Sequence, residues 1–129
     1  MRRKRPKKLI QKMKCDRLWS QIIRQQDFCE AGELGECKGR FEAAHIIRRG
    51  DNSVRHDLEN GLCLCSKHHF WFDKGDKFEV TEWFNNRFPG RKERLNKKNV
   101  IAVGLHKVDY EKVLQKLQKE ADKPHPLAI

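Results

Sequence analysis

The sequence has no apolar run long enough to cross a bilayer, and its opening, M-R-R-K-R-P-K-K, lacks the apolar stretch of a secretory signal. A membrane-spanning class is excluded on that basis, and an intracellular location is expected. Aromatic residues make up 9% of the chain and hydrophobic residues 37%, so the core is expected to be thin and to gain from a metal staple. Acidic residues are scarce beside basic ones, 18 against 29, leaving a net charge of +11. An isoelectric point near 9.7 suits a polyanionic partner, and nucleic acid comes first among these. The five cysteines are an odd number, which argues against a fully paired disulfide framework. In a reducing compartment they are available as metal ligands, with Cys15, remote from the rest, left over. No internal repeat and no base-reading helix stand out, so phosphate contacts are expected to dominate any nucleic-acid affinity.

Residues 1–14 hold eight Lys or Arg and few apolar groups, which predicts a flexible basic arm ahead of one domain over 15–129. Asp16 can cap a helix running to about Gln26, with Leu18, Trp19, Ile22 and Ile23 on one side as core. Phe41 to Arg48 and Leu62 to Cys65 read as strands, joined by the polar, turn-rich loop G-D-N-S-V-R-H-D-L-E-N-G. Ser66 opens a helix through Asp73 that stops near Gly75. Beyond it, Lys77 to Val80 reads as extended, and Thr81 caps a helix ending at Pro89-Gly90, with Trp83, Phe84 and Phe88 as core or as a lid over the first helix. Residues 91–98 carry five basic groups that could face nucleic acid or plain solvent. Asp109 caps a last helix with the stripe Tyr110, Val113, Leu114 and Leu117, and His125 lies in a loop-like tail. The helices past Gly75 form an extension over 76–129.

Cys29 and Cys37 bracket a glycine-containing loop, and Cys65-Ser66-Lys67-His68 supplies a Cys-x-x-His pair. Two residues between ligands let a chain fold around one ion with peptide N–H groups aimed at sulfur. Cys29, Cys37, Cys65 and His68 thus form a candidate tetrahedral structural zinc site. Buried free thiols would look similar in sequence. Cys63 competes as fourth ligand.

His45 stands fifteen residues before Asn60, which stands nine before His69, which stands four before Asp73. In that order and spacing, and in the wording A-A-H-I-I and N-G-L-C-L-C-x-x-H-H-x-x-F-D, the chain resembles, over a motif core of 27–75, the HNH, or ββα-metal, endonucleases, including small phage-encoded members. The resemblance implies an α+β fold with a small ββα-metal core, a structural zinc site and flanking N- and C-terminal helices. It implies a metal-dependent DNA endonuclease in the cytoplasm of a host cell. His45 would be the general base, and Asn60 would pin the long loop and orient His45. His69 and Asp73 would hold a divalent cation: Mg²⁺, Mn²⁺ or a transition metal. Arg48 and Arg49 would grip DNA phosphates. Phage packaging or recombination proteins would be its partners.

One position departs from the family pattern: Ala44 stands where many members carry a metal-binding Asp or His. Glu42, His56, Asp57 or water could fill that place. The adjacent pair His68 and His69 could divide between the two metals in either sense, although the family spacing favours His68 at the zinc. Two further readings go with the motif. One is a junction- or branch-specific nuclease of phage recombination. The other is a zinc-stapled DNA-binding module without catalysis, which Ala44 would suit.

Overall fold

The computed structural model describes residues 4–50, 53–102 and 108–123. Its helices are α1 (Lys7–Arg24), α2 (Ser66–Lys74), α3 (Lys77–Arg87), α4 (Arg91–Ala102) and α5 (Tyr110–Ala121). Its strands are β1 (Phe41–His45) and β2 (Gly61–Cys65), and short 3₁₀ turns lie at Gly32–Leu34 and Leu58–Asn60. The strands pair antiparallel, with Ala43 opposite Cys63 and His45 opposite Gly61. With α2 following β2 directly, the architecture is the expected α+β arrangement: a ββα unit flanked by helices on both sides in sequence.

The sheet separates two apolar clusters. On one side Cys63, Phe41 and Ala43 meet Cys15, Trp19 and Ile23 of α1 and Tyr110 and Leu117 of α5. On the other, Ala44, Leu62 and Leu64 meet Phe72 of α2 and Trp83, Phe84 and Phe88. Every residue of β2 is buried, as expected for a strand covered on both faces. The aromatic trio is therefore core beneath α2 and not a lid over α1. Gly61 is needed where β2 crosses α1, because a Cβ there would collide with Ile23 and Trp19.

Three local expectations need correction. The first helix starts at Lys7 behind Pro6, so Asp16 lies mid-helix instead of capping it, and residues 7–14 of the expected arm are helical. Packing supplies what composition lacks. The Lys8 ammonium lies 5.7 Å from the centre of the Tyr110 ring, and the α1–α5 contact supports the helix along its length. Second, residues 77–80 are the first turn of α3, and Thr81 is inside it. Asp76 is the cap, its Oδ1 accepting from the N–H groups of Phe78 and Glu79. Third, β1 ends at His45, short of Arg48. Ile46 N–H still reaches the Asn60 carbonyl, but the next donor, Ile47 N–H, turns to the Asn60 side chain at 2.7 Å.

Helix α5 is capped by Asp109, as expected, and lays its apolar stripe on α1. Helix α4 is more than a basic face. Arg91 donates to the Glu59 carbonyl at 2.7 Å and the Gly61 carbonyl at 2.8 Å, while Arg94 and Lys98 pair with Glu59, and Lys98 also with Asp57. His125 and the first three residues of the basic segment lie outside the described residues.

Candidate active site and metal centre

The cysteine cluster forms where the lead-in to β1 meets the start of α2. Ser66 N–H and Lys67 N–H donate to the carbonyls of Arg40 and Lys38, which docks the two segments. Gly39 permits this approach: its φ is +83°, and a Cβ there would sit 2.6 Å from the Ser66 side chain. The result brings the Sγ atoms of Cys29, Cys37 and Cys65 and a ring nitrogen of His68 within 4.8 Å of one another. His68 Nδ1 lies 3.1 Å from Cys65 Sγ, 3.4 Å from Cys29 Sγ and 3.6 Å from Cys37 Sγ. Zinc bonds of about 2.0–2.3 Å in a tetrahedron require ligand atoms roughly 3.5 Å apart. The cluster fits that ion. Burial pushes the Cys65 thiol up, but the N–H groups of His68 and Lys38 and the neighbouring thiols outweigh it and bring it down, favouring thiolate. Cys63 stays outside this group, buried in the α1–α5 cluster, where burial and the Glu30 charge push its thiol up to about 11. Cys15 is also buried, its thiol donating to the Tyr110 carbonyl at 3.4 Å.

The turn of α2 separates the two adjacent histidines. While His68 enters the cysteine cluster, His69 lies between two carboxylates. Its Nε2 is 3.1 Å from Asp73 Oδ2, and its Nδ1 is 2.9 Å from Glu42 Oε1. Two ligand atoms about 3 Å apart suit a shared divalent ion bound at roughly 2.0–2.2 Å by each. Glu42 meets the opposite ring nitrogen, the place of a carboxylate that orients a ligating imidazole. Ala44 is fully buried in the apolar cluster beneath α2, with no polar group to offer. The other two substitutes are engaged elsewhere: His56 with Asp16 at 2.7 Å, and Asp57 with Lys98 and Glu59 N–H. Strand alternation was the sequence signal for Glu42, since it shares a face with Ala44 two residues on.

His45 closes β1. Its Nε2 lies 2.9 Å from the Arg55 carbonyl oxygen, which can only accept, so Nε2 carries the proton and Nδ1 is the basic nitrogen. The ring is stacked on Trp19, with centroids 3.9 Å apart and planes 15° from parallel. Burial lowers the pKa of His45 below the ordinary histidine value, and Arg49 and Arg55 add to this against the Arg55 carbonyl and Asp16. Asn60 is fully buried and makes three hydrogen bonds across the long loop. Its Oδ1 accepts from Ile47 N–H, and its Nδ2 donates to the carbonyls of Ile47 and Val54.

A cleft of about 850 Å³ is lined by His45, His69, Asp73, Trp19, Arg48 and Arg49. Lys74, Lys77 and Lys92 line it too, and their ammonium groups have no ion-pair partner among the described residues. Arg49 reaches back to Asp16 at 3.1 Å. The residues expected to act together thus share one cavity, apart from Asn60, which is behind it in the loop. Sequence reasoning missed Asp16 and Trp19 as neighbours of the site, because nothing in the periodicity of α1 distinguishes them from a cap and a core residue. It also missed Glu30, a buried carboxylate that accepts from Cys63 N–H at 2.8 Å while its own N–H donates to the Cys63 carbonyl.

A hairpin followed by a helix, with a Cys/His cluster at one end and a histidine-lined cleft at the other, defines the class of ββα-metal folds. Residues 22–76 match the family described as HNH endonuclease, a stretch that runs from the end of α1 to the cap of α3. This part of the chain is similar to the HNH endonucleases. No curated protein and no solved structure gives a significant match. No helix among the described residues is long and apolar enough to cross a membrane.

Proposed function

We propose that the protein is a divalent-metal-dependent DNA endonuclease that hydrolyses phosphodiester bonds with His45 as general base. The observation that carries this reading is the shared cleft: a base with a depressed pKa and the His69–Asp73 pair open onto one cavity, inside the segment of HNH type. In the proposed reaction His45 Nδ1 takes a proton from water as the water oxygen attacks phosphorus. The bond from phosphorus to the 3′ oxygen breaks, and the leaving oxygen is protonated from solvent. His45 then returns its proton to solvent. His69 Nε2 and Asp73 would hold the cation, which when bound supplies positive charge to the scissile phosphate and the departing oxygen. Glu42 keeps the His69 ring turned toward that position. Arg48, Arg49, Lys74, Lys77 and Lys92 hold neighbouring phosphates, the arginines as forked donors and the lysines as point charges. The Cys29, Cys37, Cys65 and His68 set holds zinc and fixes the start of α2.

A plasmid-nicking assay across Mg²⁺, Mn²⁺, Ni²⁺ and Zn²⁺, with wild type and His45→Ala in parallel, tests this. Cleavage should need added cation and fall by roughly 10²–10⁴-fold in His45→Ala, the usual contribution of a general base. Undiminished cleavage by folded His45→Ala would remove His45 from the role. Binding of DNA without cleavage under every metal would favour a non-catalytic module.

A further inference from the structure

The loop between β1 and β2 meets the imidazole of His45 through a backbone atom, the Arg55 carbonyl oxygen that receives the His45 Nε2–H. A neutral imidazole can carry its proton on either nitrogen, and the partner of one nitrogen selects the tautomer. The placement of this carbonyl therefore decides whether Nδ1 is free to accept a proton.

That placement comes from α1. The two oxygens of Asp16 take Arg55 as a fork, Nε at 2.8 Å and Nη2 at 2.7 Å, and Oδ1 also takes His56 Nε2 at 2.7 Å. Three residues along the helix, Trp19 Nε1 donates to the Asp57 carbonyl at 2.9 Å. The same indole lies flat on the His45 ring. Three consecutive loop residues, 55 to 57, are thus gripped by two side chains of one helix, and one of the two touches the base itself. Trp19, Arg55 and His56 are all buried, so water does not compete for these contacts as it does at a surface pair. Both helix residues precede the segment that matches the HNH family.

We infer that Asp16 and Trp19 are positioning residues for His45, holding the Arg55 carbonyl and the imidazole plane so that the base stays in its Nε2–H form with Nδ1 open. The inference rests on His45 being the general base. The charged groups around the ring are Asp16, Arg49 and Arg55, and Asp16 touches both guanidinium groups. Removing its charge loosens the clamp and also releases Arg49, whereas Trp19→Phe loosens the clamp with the Asp16–Arg49 pair intact.

The test compares wild type, Asp16→Asn and Trp19→Phe at saturating cation. Asp16→Asn keeps the side-chain volume, and Trp19→Phe keeps a ring over His45 while deleting the bond to Asp57. In each variant kcat should fall on the order of 100-fold, the scale of a base displaced by about an ångström. The zinc content should stay near wild type in both, and KM should stay near wild type in Trp19→Phe, which leaves Arg49 paired. The ¹⁵N spectrum of His45 should change from one tautomer to a mixture. Wild-type kcat, or a single unchanged tautomer, in a folded variant overturns the inference. If Asp16→Asn does not fold, Trp19→Phe decides by the same readouts. If wild type cleaves no DNA, the nuclease reading fails, and the tautomer of His45 still decides the positioning role.

Discussion

At His45, burial disfavours the imidazolium, and the guanidinium groups of Arg49 and Arg55 push the same way. The Arg55 carbonyl and the Asp16 carboxylate oppose them without reversing the result. The folded pKa lies below 6.5, so the neutral base predominates above that value and is lost as pH falls through it. With cation saturating, the acid limb of log kcat/KM, which reports the free enzyme, should therefore lie below pH 6.5, and a limb above it would contradict the assignment. Glu42 invites a second measurement. Glu42→Gln keeps the shape but removes the carboxylate that turns His69, and cation affinity by calorimetry should drop about 10- to 100-fold. That His45, His69 and Asp73 share a cleft with Asn60 behind it could be anticipated from their order and spacing in the sequence. The carboxylate beside His69 was less legible: strand alternation pointed to Glu42, but only the folded chain shows His56 and Asp57 engaged elsewhere.

Among the elements, the β1–β2 loop owes its order to its neighbours. Helix α1 holds residues 55–57, Asn60 ties the loop across its middle, and α4 holds residues 57–61 through Arg91, Arg94 and Lys98. Arg91 is half-buried and satisfies two backbone carbonyls at once. Arg91→Ala would leave both without a partner, at about 2–4 kcal/mol. Urea unfolding should show that loss as a lower midpoint at unchanged slope. The helices were legible where a cap and a stripe agreed, as at Asp109 with Tyr110 and Leu117. They were misplaced where two acids or hydroxyls could serve as cap. Asp76 won over Thr81, and Asp16, mid-helix, holds Arg55 in a part-buried pair instead of capping. The start of α1 was hidden because its support comes from α5, almost a full chain length away.

For the molecule as a whole, the sheet divides two small apolar clusters, and neither is large. The Cys29, Cys37, Cys65 and His68 centre ties the lead-in to β1 to the first turn of α2, and no disulfide links the cysteines. Cys29→Ser should lower the melting temperature and the bound zinc together, checked by scanning calorimetry alongside metal analysis. The aromatic cluster of Phe72, Trp83, Phe84 and Phe88 secures the other face of α2.

Helix α2 also carries His68 and His69 on successive residues, one in each centre. A nine-residue helix turns as a rigid body, so a change in azimuth at its first turn is transmitted to His69 and Asp73. Loss of a zinc ion from the first centre should therefore misalign His69 and Asp73. The same Cys29→Ser protein should bind Mn²⁺ more weakly than wild type although both His69 and Asp73 remain. Linkage makes the relation mutual: a cation held by His69 and Asp73 should slow the removal of zinc by a chelator. Two ions that share no ligand would thereby behave as one heterotropic unit, with a single turn of helix as the lever between them.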